Sequence, residues 1–351
     1  MNVLPGLLLA LVLAFAGQYL SELIGIDLLG LPKSPISAIM MAIILGIIIR
    51  NTFTLPAALQ PGIRFGLVRV LRAGIVLLGI RLSLSEAGAI GLQALPVIIG
   101  AVAAALLIVT FLARRLGLSG KLGTLIAVGT SICGATAIVA TAPTIAAKDD
   151  EVSYAVACVT LFGVVAMLAY PFIGHWFFDG DAFRSGLFLG TSVHETAQVA
   201  GAGLVYQQYY SDPEALNVAT VTKLVRNLGM LLIIPLMSVL YHRNHSDGTE
   251  APKWYTMIPL FVIGFALMSL IRTIGDLGDQ PFGFLDPEQW KTIVGYTKKT
   301  AELFLAIAMA AVGLGTSIKG LKDIGLRPLG AGLVAAVLVG VVSLSLISLL
   351  Y

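Results

Sequence analysis

The chain has 351 residues, of which 58% are hydrophobic and only 12% charged, and its mean hydropathy is +0.94, whereas a soluble domain carries about 25% charge. These values identify an integral membrane protein and leave no room for a soluble catalytic domain. Twenty-two basic against nineteen acidic residues give a formal charge of +3, scattered over short loops, so nucleic acid is not expected as a partner.

Apolar runs separated by polar, Gly- or Pro-rich interruptions predict spans at 3–20, 35–49, 66–80, 92–112 and 122–147, then at 153–177, 182–209, 215–240, 257–271, 301–318 and 328–350, at roughly 20 residues per crossing. The fold class expected is therefore an all-α polytopic membrane protein of about 11 segments. The first run lacks a basic leader and a small-residue cleavage site, and is read as a retained helix and not a signal peptide. Residues 1–180 form an N-terminal half and 181–351 a C-terminal half, which are expected to interleave into one transport unit.

With the N-terminus in the cytoplasm, the inside loops carry twelve Lys and Arg, Arg243, Lys253, Lys319 and Lys322 among them, and the outside loops six, including Lys33, Lys291, Lys298 and Lys299. The bias favours that orientation. Trp176, Trp254 and Trp290, with Tyr209 and Tyr210, lie near segment ends and read as interfacial belts. Asp149-Asp150-Glu151 reads as a solvated turn. Cys133 and Cys158 both lie in apolar stretches, so neither a disulfide framework nor a cysteine metal site is indicated.

The chain resembles itself in two ways. Gly79 to Leu92 matches Gly313 to Leu326 at a constant offset, joining the third segment to the tenth, which run in opposite directions. That is the sequence signature of an inverted-topology repeat. Gly129-Thr-Ser-Ile-Cys133 also matches Gly190-Thr-Ser-Val-His194, with Val156-Ala-Cys-Val-Thr160 against Val218-Ala-Thr-Val-Thr222 behind them, and a third copy begins at Gly315. Whether the 129 and 190 copies cross fully or re-enter is open.

The segments at 122–147 and 182–209 place Gly, Thr and Ser at their centres, so both are expected to be broken helices. Non-helical backbone at membrane depth must be buried in protein or line a cavity, and a restarting helix offers free N–H groups to an anion. The competing reading has the hydroxyls bonded to their own preceding turns and the glycines serving helix packing. His194 and Glu195 are adjacent titratable groups within an apolar segment, and Lys223, Arg226 and Asn227 fall in the middle of the eighth, the two cations on one helical face. Charge at that depth is costly and points to function. The cations are expected to need an anion: Glu195, in a purely structural ion pair with Arg226, or a solute.

The preferred reading gives substrate binding to Thr130, Ser131, Cys133, Thr191, Ser192, Gln198, Lys223, Arg226 and Asn227, and proton or ion coupling to His194 and Glu195. Sodium held by broken-segment carbonyls with Thr130, Ser131 and Gln198 is the alternative coupling ion. Enzyme templates fail: His194-Glu195-Thr-Ala-Gln198 lacks the second histidine of a zincin helix, the 129 motif has the wrong spacing for a nucleophile elbow, and no phosphate-binding loop is present. Only Ser192 near His194 offers a nucleophile with a base. No metal and no cofactor are expected beyond Na+ or H+ as coupling ion.

At these residues the chain resembles a known family. GTSICGATAI at 129–138, GTSVHETAQVAGAG at 190–203 and RAGIVLLGIRLSL at 72–84 resemble the YeiH-like bacterial inner-membrane proteins, the family named for sulfate export within the bile acid, arsenite and riboflavin transporter superfamily. The resemblance covers nearly the whole chain. It implies a secondary carrier built from inverted repeats, with a core moving against a scaffold, and a sulfate-like oxyanion or small organic anion as substrate. It places the family's motif on Thr191, Ser192, His194, Glu195 and Gln198, with Thr130 and Ser131 in the opposing break. The superfamily would pair the broken fifth segment with the tenth, whereas the richest motif here is in the seventh. The expected function is an anion carrier of the inner membrane, coupled to protons or sodium, with the lipid bilayer and a small anionic solute as partners and pairing into a homodimer left open. A passive anion channel and an intramembrane enzyme are the rivals.

Overall fold

The computed structural model describes residues 3–28, 34, 37–242, 259–278, 280–317 and 326–351. The charge assignments at Lys33, Arg243, Lys253, Lys319 and Lys322, the belt position Trp254, and the repeat from Ile318 to Gly325 lie outside the described residues.

The protein is an all-α polytopic membrane protein. Its helices are α1 Leu4–Glu22, α2 Ala38–Thr52, α3 Gln60–Phe65, α4 Leu71–Leu78, α5 Leu84–Ala104, α6 Thr110–Arg115, α7 Gly120–Ser131 and α8 Ala135–Thr141. They are followed by α9 Asp149–Phe177, α10 Ala182–Ser192, α11 Thr196–Tyr210, α12 Glu214–Leu228, α13 Met230–His242, α14 Leu260–Gly275, α15 Pro287–Gly315 and α16 Leu326–Leu350. Single π turns at Gly66–Val70 and Ala105–Val109 join α3 to α4 and α5 to α6 without a break in the rod. Among the described residues five helical stretches are long and apolar enough to span a bilayer by themselves: Leu4–Leu28, Leu84–Arg115, Asp149–Phe177, Glu214–Met237 and Pro328–Leu350.

Local chemistry starts several of these helices. Ser37, Ser119 and Asp181 accept hydrogen bonds from the amides of Met40, Leu122 and Arg184 at the starts of α2, α7 and α10, each satisfying one orphan N–H of a first turn. Asp149 and Asp150 are exposed, but with Glu151 they belong to a helix and not to a loop. They form the first turn of α9, where carboxylates complement the positive end of the helix, and Glu151 also accepts from the Lys148 amide at 2.9 Å. The tenth rod begins fourteen residues before the expected span, because Asp286 caps it and Pro287 fits its first turn. Hydropathy registers lipid contact and not helix length, so Lys291, Lys298 and Lys299 lie on α15 and not in a loop. Trp290 departs from the belt pattern as well: it is buried and its indole N–H donates to Asp276 at 2.8 Å. Trp176 is 79% exposed near the end of α9.

The chain divides into two compact units, each discontinuous in sequence. The first comprises residues 1–90, 200–217 and 260–319. Its core joins Ala10, Leu13, Ile63, Ala310, Ala311 and Leu314, and α2, α4 and α1 pack on α15. Contact there is at backbone distance: a Cβ on Gly46 would stand 2.8 Å from the Ala310 carbonyl oxygen and the Leu314 nitrogen. Lipid offers no hydrophobic drive between helices, so such close small-residue packing takes its place. Within the same unit Arg81 pairs with Glu302, and Gln207 bridges the two, accepting from Arg81 and donating to Glu302 at 2.9 Å each.

The second unit comprises residues 91–199, 218–259 and 320–351. Here α7, α10 and α16 pack on α9, and α8 and α13 meet beside them. Leu122, Leu125, Ile126, Ile138, Val159 and Ala335 form one core cluster, while Val128, Ile132, Cys133, Met230 and Ile234 form another. Both clusters include residues of the first broken segment, 122–147.

Gly46→Leu should destabilise the first unit by about 1–3 kcal/mol through overpacking against α15, read as a lower melting midpoint in detergent. Gly295→Ala, where an added Cβ meets nothing within 4 Å, should leave that midpoint unchanged or slightly raised.

Candidate functional site

Both suspect segments are broken, and at matching places. α7 ends on Ser131 and α10 on Ser192, the last residues of the two Gly-Thr-Ser copies, and helices resume at Ala135 and Thr196. The interruptions are Ile132-Cys133-Gly134 and Val193-His194-Glu195. The third copy also ends a helix, since α15 stops at Gly315. Thr and Ser after the glycine turn their hydroxyls back on the helix: Ser131 to the Val128 carbonyl, Thr191 to Leu187, Ser192 to Phe188 and Thr316 to Val312. Such back-bonding competes with the main-chain ladder and suits a helix end. Gly134 has φ +66°, a conformation that a residue with a Cβ adopts only under strain.

Ending two helices inside the protein leaves their last carbonyls without partners, and α12 supplies them. Arg226 donates from Nε to the Ser131 carbonyl at 2.7 Å, from Nη1 to Thr191 at 2.7 Å and Val193 at 3.2 Å, and from Nη2 to Thr130. Lys223, three residues earlier, donates to Ile132 at 2.8 Å, Val193 at 3.1 Å and His194. Both side chains are essentially fully buried. Equivalent carbonyls of the two copies meet on the same cation: Thr130 and Thr191 on Arg226, Ile132 and Val193 on Lys223. The third copy has a neutral counterpart, with Asn51 donating to the Thr316 carbonyl at 3.0 Å.

The sequence suggested a carboxylate or a solute as counter-charge for these cations. Within the protein the compensation comes from main-chain carbonyls at the negative ends of α7 and α10, and neither cation forms an ion pair with Glu195 among the described residues. Glu195 lies instead where the helices resume. Its side chain rests on Gly134, in the space a Cβ there would fill. Its carboxylate accepts from the Thr160 hydroxyl at 2.8 Å and from the Ala135 amide at the start of α8. Gly134 and Glu195 occupy equivalent positions of the two copies, so here too the repeat meets itself.

Gln198 is buried, accepts from the Glu195 amide at 3.1 Å and donates to the Thr160 carbonyl at 3.0 Å, and it packs into the space left by Gly163. Cys133 is buried with its thiol 3.4 Å from the Met230 sulfur. Asn227 donates from Nδ2 to the Thr196 hydroxyl at 3.1 Å, while its Oδ1 and the Nδ1 of buried His194 have no hydrogen-bond partner among the described residues. Glu195 and Thr196 are half-buried and Thr136 is exposed, so the resuming ends of the two segments are the accessible side of the site. The structure thus brings together Thr130, Ser131, Thr191, Lys223 and Arg226 around the helix ends, and Glu195, Gln198 and Asn227 around the helix starts. Thr160, Gly134 and Thr196 join them unforeseen. Thr160 had a signal, since it ends the repeated Val-Ala-x-Val-Thr match.

Comparison with known proteins gives the family. Residues 5–332 match the family described as Conserved hypothetical protein 698, and the chain belongs to it. A UPF0324 membrane protein of Streptococcus pyogenes serotype M18 is 34% identical over 325 residues, covering 92% of this chain and 90% of its own. Another from Bartonella henselae is 35% identical over 323 residues, with 92% and 86% covered, and one from Fusobacterium nucleatum is 31% identical over 325, with 91% and 90% covered. No solved structure matches the chain.

Arg226→Gln should cost about 3 kcal/mol or more, as removal of one partner from a buried charged network does, and Arg226→Lys should recover only part of it because an ammonium cannot reproduce the planar fork. Denaturation of the purified protein in detergent measures this; an unchanged midpoint in Arg226→Gln would show that the carbonyls do not depend on it.

Proposed function

We propose that this member of the family is a secondary carrier that moves a small anion, a sulfate-like oxyanion or small organic anion, across the inner membrane together with a proton. The observation that carries this reading is a charge imbalance. At the two breaks, buried Lys223 and Arg226 contribute two positive charges and half-buried Glu195 one negative, a net 2 − 1 = +1. An unbalanced charge at membrane depth costs about 2.5–3.5 kcal/mol on insertion scales, and an arriving anion removes that cost.

The cations act on the solute mainly through their field, because most of their N–H groups are engaged with carbonyls. Direct contact falls to groups beside them with unused capacity: the His194 imidazole, the Asn227 amide and the Thr196 hydroxyl. Either end of the Asn227 amide can be turned toward a solute, since its oxygen and nitrogen exchange places by a flip. The hydroxyls of Ser131, Thr191 and Ser192, returned to their own helices, shape the breaks.

Glu195 is the proton carrier in this reading. Ionised, it competes with the solute for the positive field; protonated, it raises the local charge from +1 to +2. Proton and anion binding therefore favour one another, and by linkage each raises the affinity of the other equally, which gives co-transport. The intramembrane-enzyme rival would rely on Ser192, whose hydroxyl here donates to the Phe188 carbonyl at 2.5 Å. In this reading the N-terminus faces the cytoplasm, the orientation that the lysine and arginine bias favours.

Proteoliposome counterflow with labelled sulfate, sulfite and small sulfonates tests the reading. Uptake should saturate, rise with substrate on the opposite side and rise as external pH falls; Glu195→Gln should flatten the pH dependence, and an unaltered pH slope would remove the residue from this role. Asn227→Ala should lower uptake about tenfold or more, the loss of roughly 1.4 kcal/mol, with the melting midpoint retained. Uptake equal to the parent protein would exclude Asn227 from the solute's contacts.

A further inference from the structure

The surroundings of Lys223 differ in kind from those of an ordinary buried lysine. Its ammonium has three protons and meets three acceptors, all main-chain carbonyls: Ile132 at 2.8 Å, Val193 at 3.1 Å and His194. The oxygens come from both breaks, on the negative ends of α7 and α10. Among the described residues no carboxylate lies within ion-pairing distance, and the side chain is completely buried. Unwound carbonyls at the ends of half-helices are the ligands with which membrane carriers hold a sodium ion, and rings of carbonyl dipoles hold potassium in channels. A compact, spherical, singly charged group surrounded by such oxygens meets the same requirements as an alkali cation.

We propose that the Lys223 ammonium is a tethered monovalent cation, filling a three-carbonyl cradle between the two breaks that would otherwise take an alkali ion from solution. The breaks are then held together without sodium or potassium, which leaves the proton as the coupling ion of the carrier described above. Arg226 does not share this role. Its planar fork reaches Thr130, Ser131, Thr191 and Val193 from three nitrogens, and no single sphere can replace it. The absence of a carboxylate also fixes the class of ion: neutral carbonyls alone do not offset the dehydration of a divalent cation.

The inference rests on the carrier reading only for the word coupling, and its test reads stability so that the two can fail separately. The full-length protein is purified in detergent and melted in sodium, potassium, lithium or choline chloride at one ionic strength. The parent protein should show the same midpoint in all four salts. Lys223→Ala, which empties the cradle, should melt lower in choline and regain about 3 °C or more, saturably, in one of the alkali salts, as a ligand that binds only the folded form requires. Lys223→Arg, which keeps a charge, should show no such dependence. Lys223→Gln, which keeps an N–H donor, is the second neutral variant. Should the neutral variants be recoverable only from alkali-salt buffers, the proposal is supported. It is overturned by saturable alkali stabilisation of the parent protein, by equal melting of Lys223→Ala in all four salts, or by failure to recover either neutral variant in any salt.

Discussion

Two cations on one face of α12, bonded to the severed ends of two helices, are what the second unit depends on. A helix that stops inside a membrane protein exposes carbonyls that neither lipid nor apolar side chains can satisfy. Lys223 and Arg226 meet seven of them, on Thr130, Ser131, Ile132, Gly190, Thr191, Val193 and His194. Their positive charge also opposes the negative ends of α7 and α10, so hydrogen bonding and electrostatics act in the same direction. The surrounding clusters, with Ile132 and Cys133 packed on Met230 and Ile234, then enclose a break that is already satisfied.

That arrangement divides the polar residues by task. Hydroxyls that look like solute ligands in a linear motif turn back onto their own helices and terminate them. Gln198 ties the Glu195 amide to α9, and Thr160 on α9 holds the carboxylate. Since the cations outnumber the carboxylate, the site keeps a positive excess after every internal bond is counted. A protein that needed only to close two helix ends could do so with neutral donors, as Asn51 does at Thr316. Using two full charges at the other ends creates a field that a neutral cap would not.

The two Gly-Thr-Ser copies also explain the geometry as a pair. Equivalent carbonyls approach each cation, and equivalent positions 134 and 195 touch, one without a side chain and the other filling the space. The repeat supplies two similar surfaces, and the difference of glycine against glutamate at these positions lets the two copies fit. The fourth and fifth residues after each repeat glycine thus carry the asymmetry on which function is proposed to act.

Much of this was legible in the sequence. Composition and hydropathy fixed an all-helical membrane protein, because burial in lipid demands long apolar runs whatever the tertiary arrangement. The glycines and hydroxyls at 129–131 and 190–192 marked helix ends, since the residues that break a helix do so locally. The unusual charges at 194, 195, 223 and 226 marked the site, since no apolar segment carries them without compensation. What compensates them was not legible. Main-chain carbonyls are the same at every residue and leave no trace in side-chain identity, so only the fold could show that Lys223 and Arg226 bond to backbone and not to Glu195. The place of Thr160, the contact between Gly134 and Glu195, and the burial of Trp290 were likewise decided by which helices lie side by side, a relation between distant parts of the chain that local pattern does not encode.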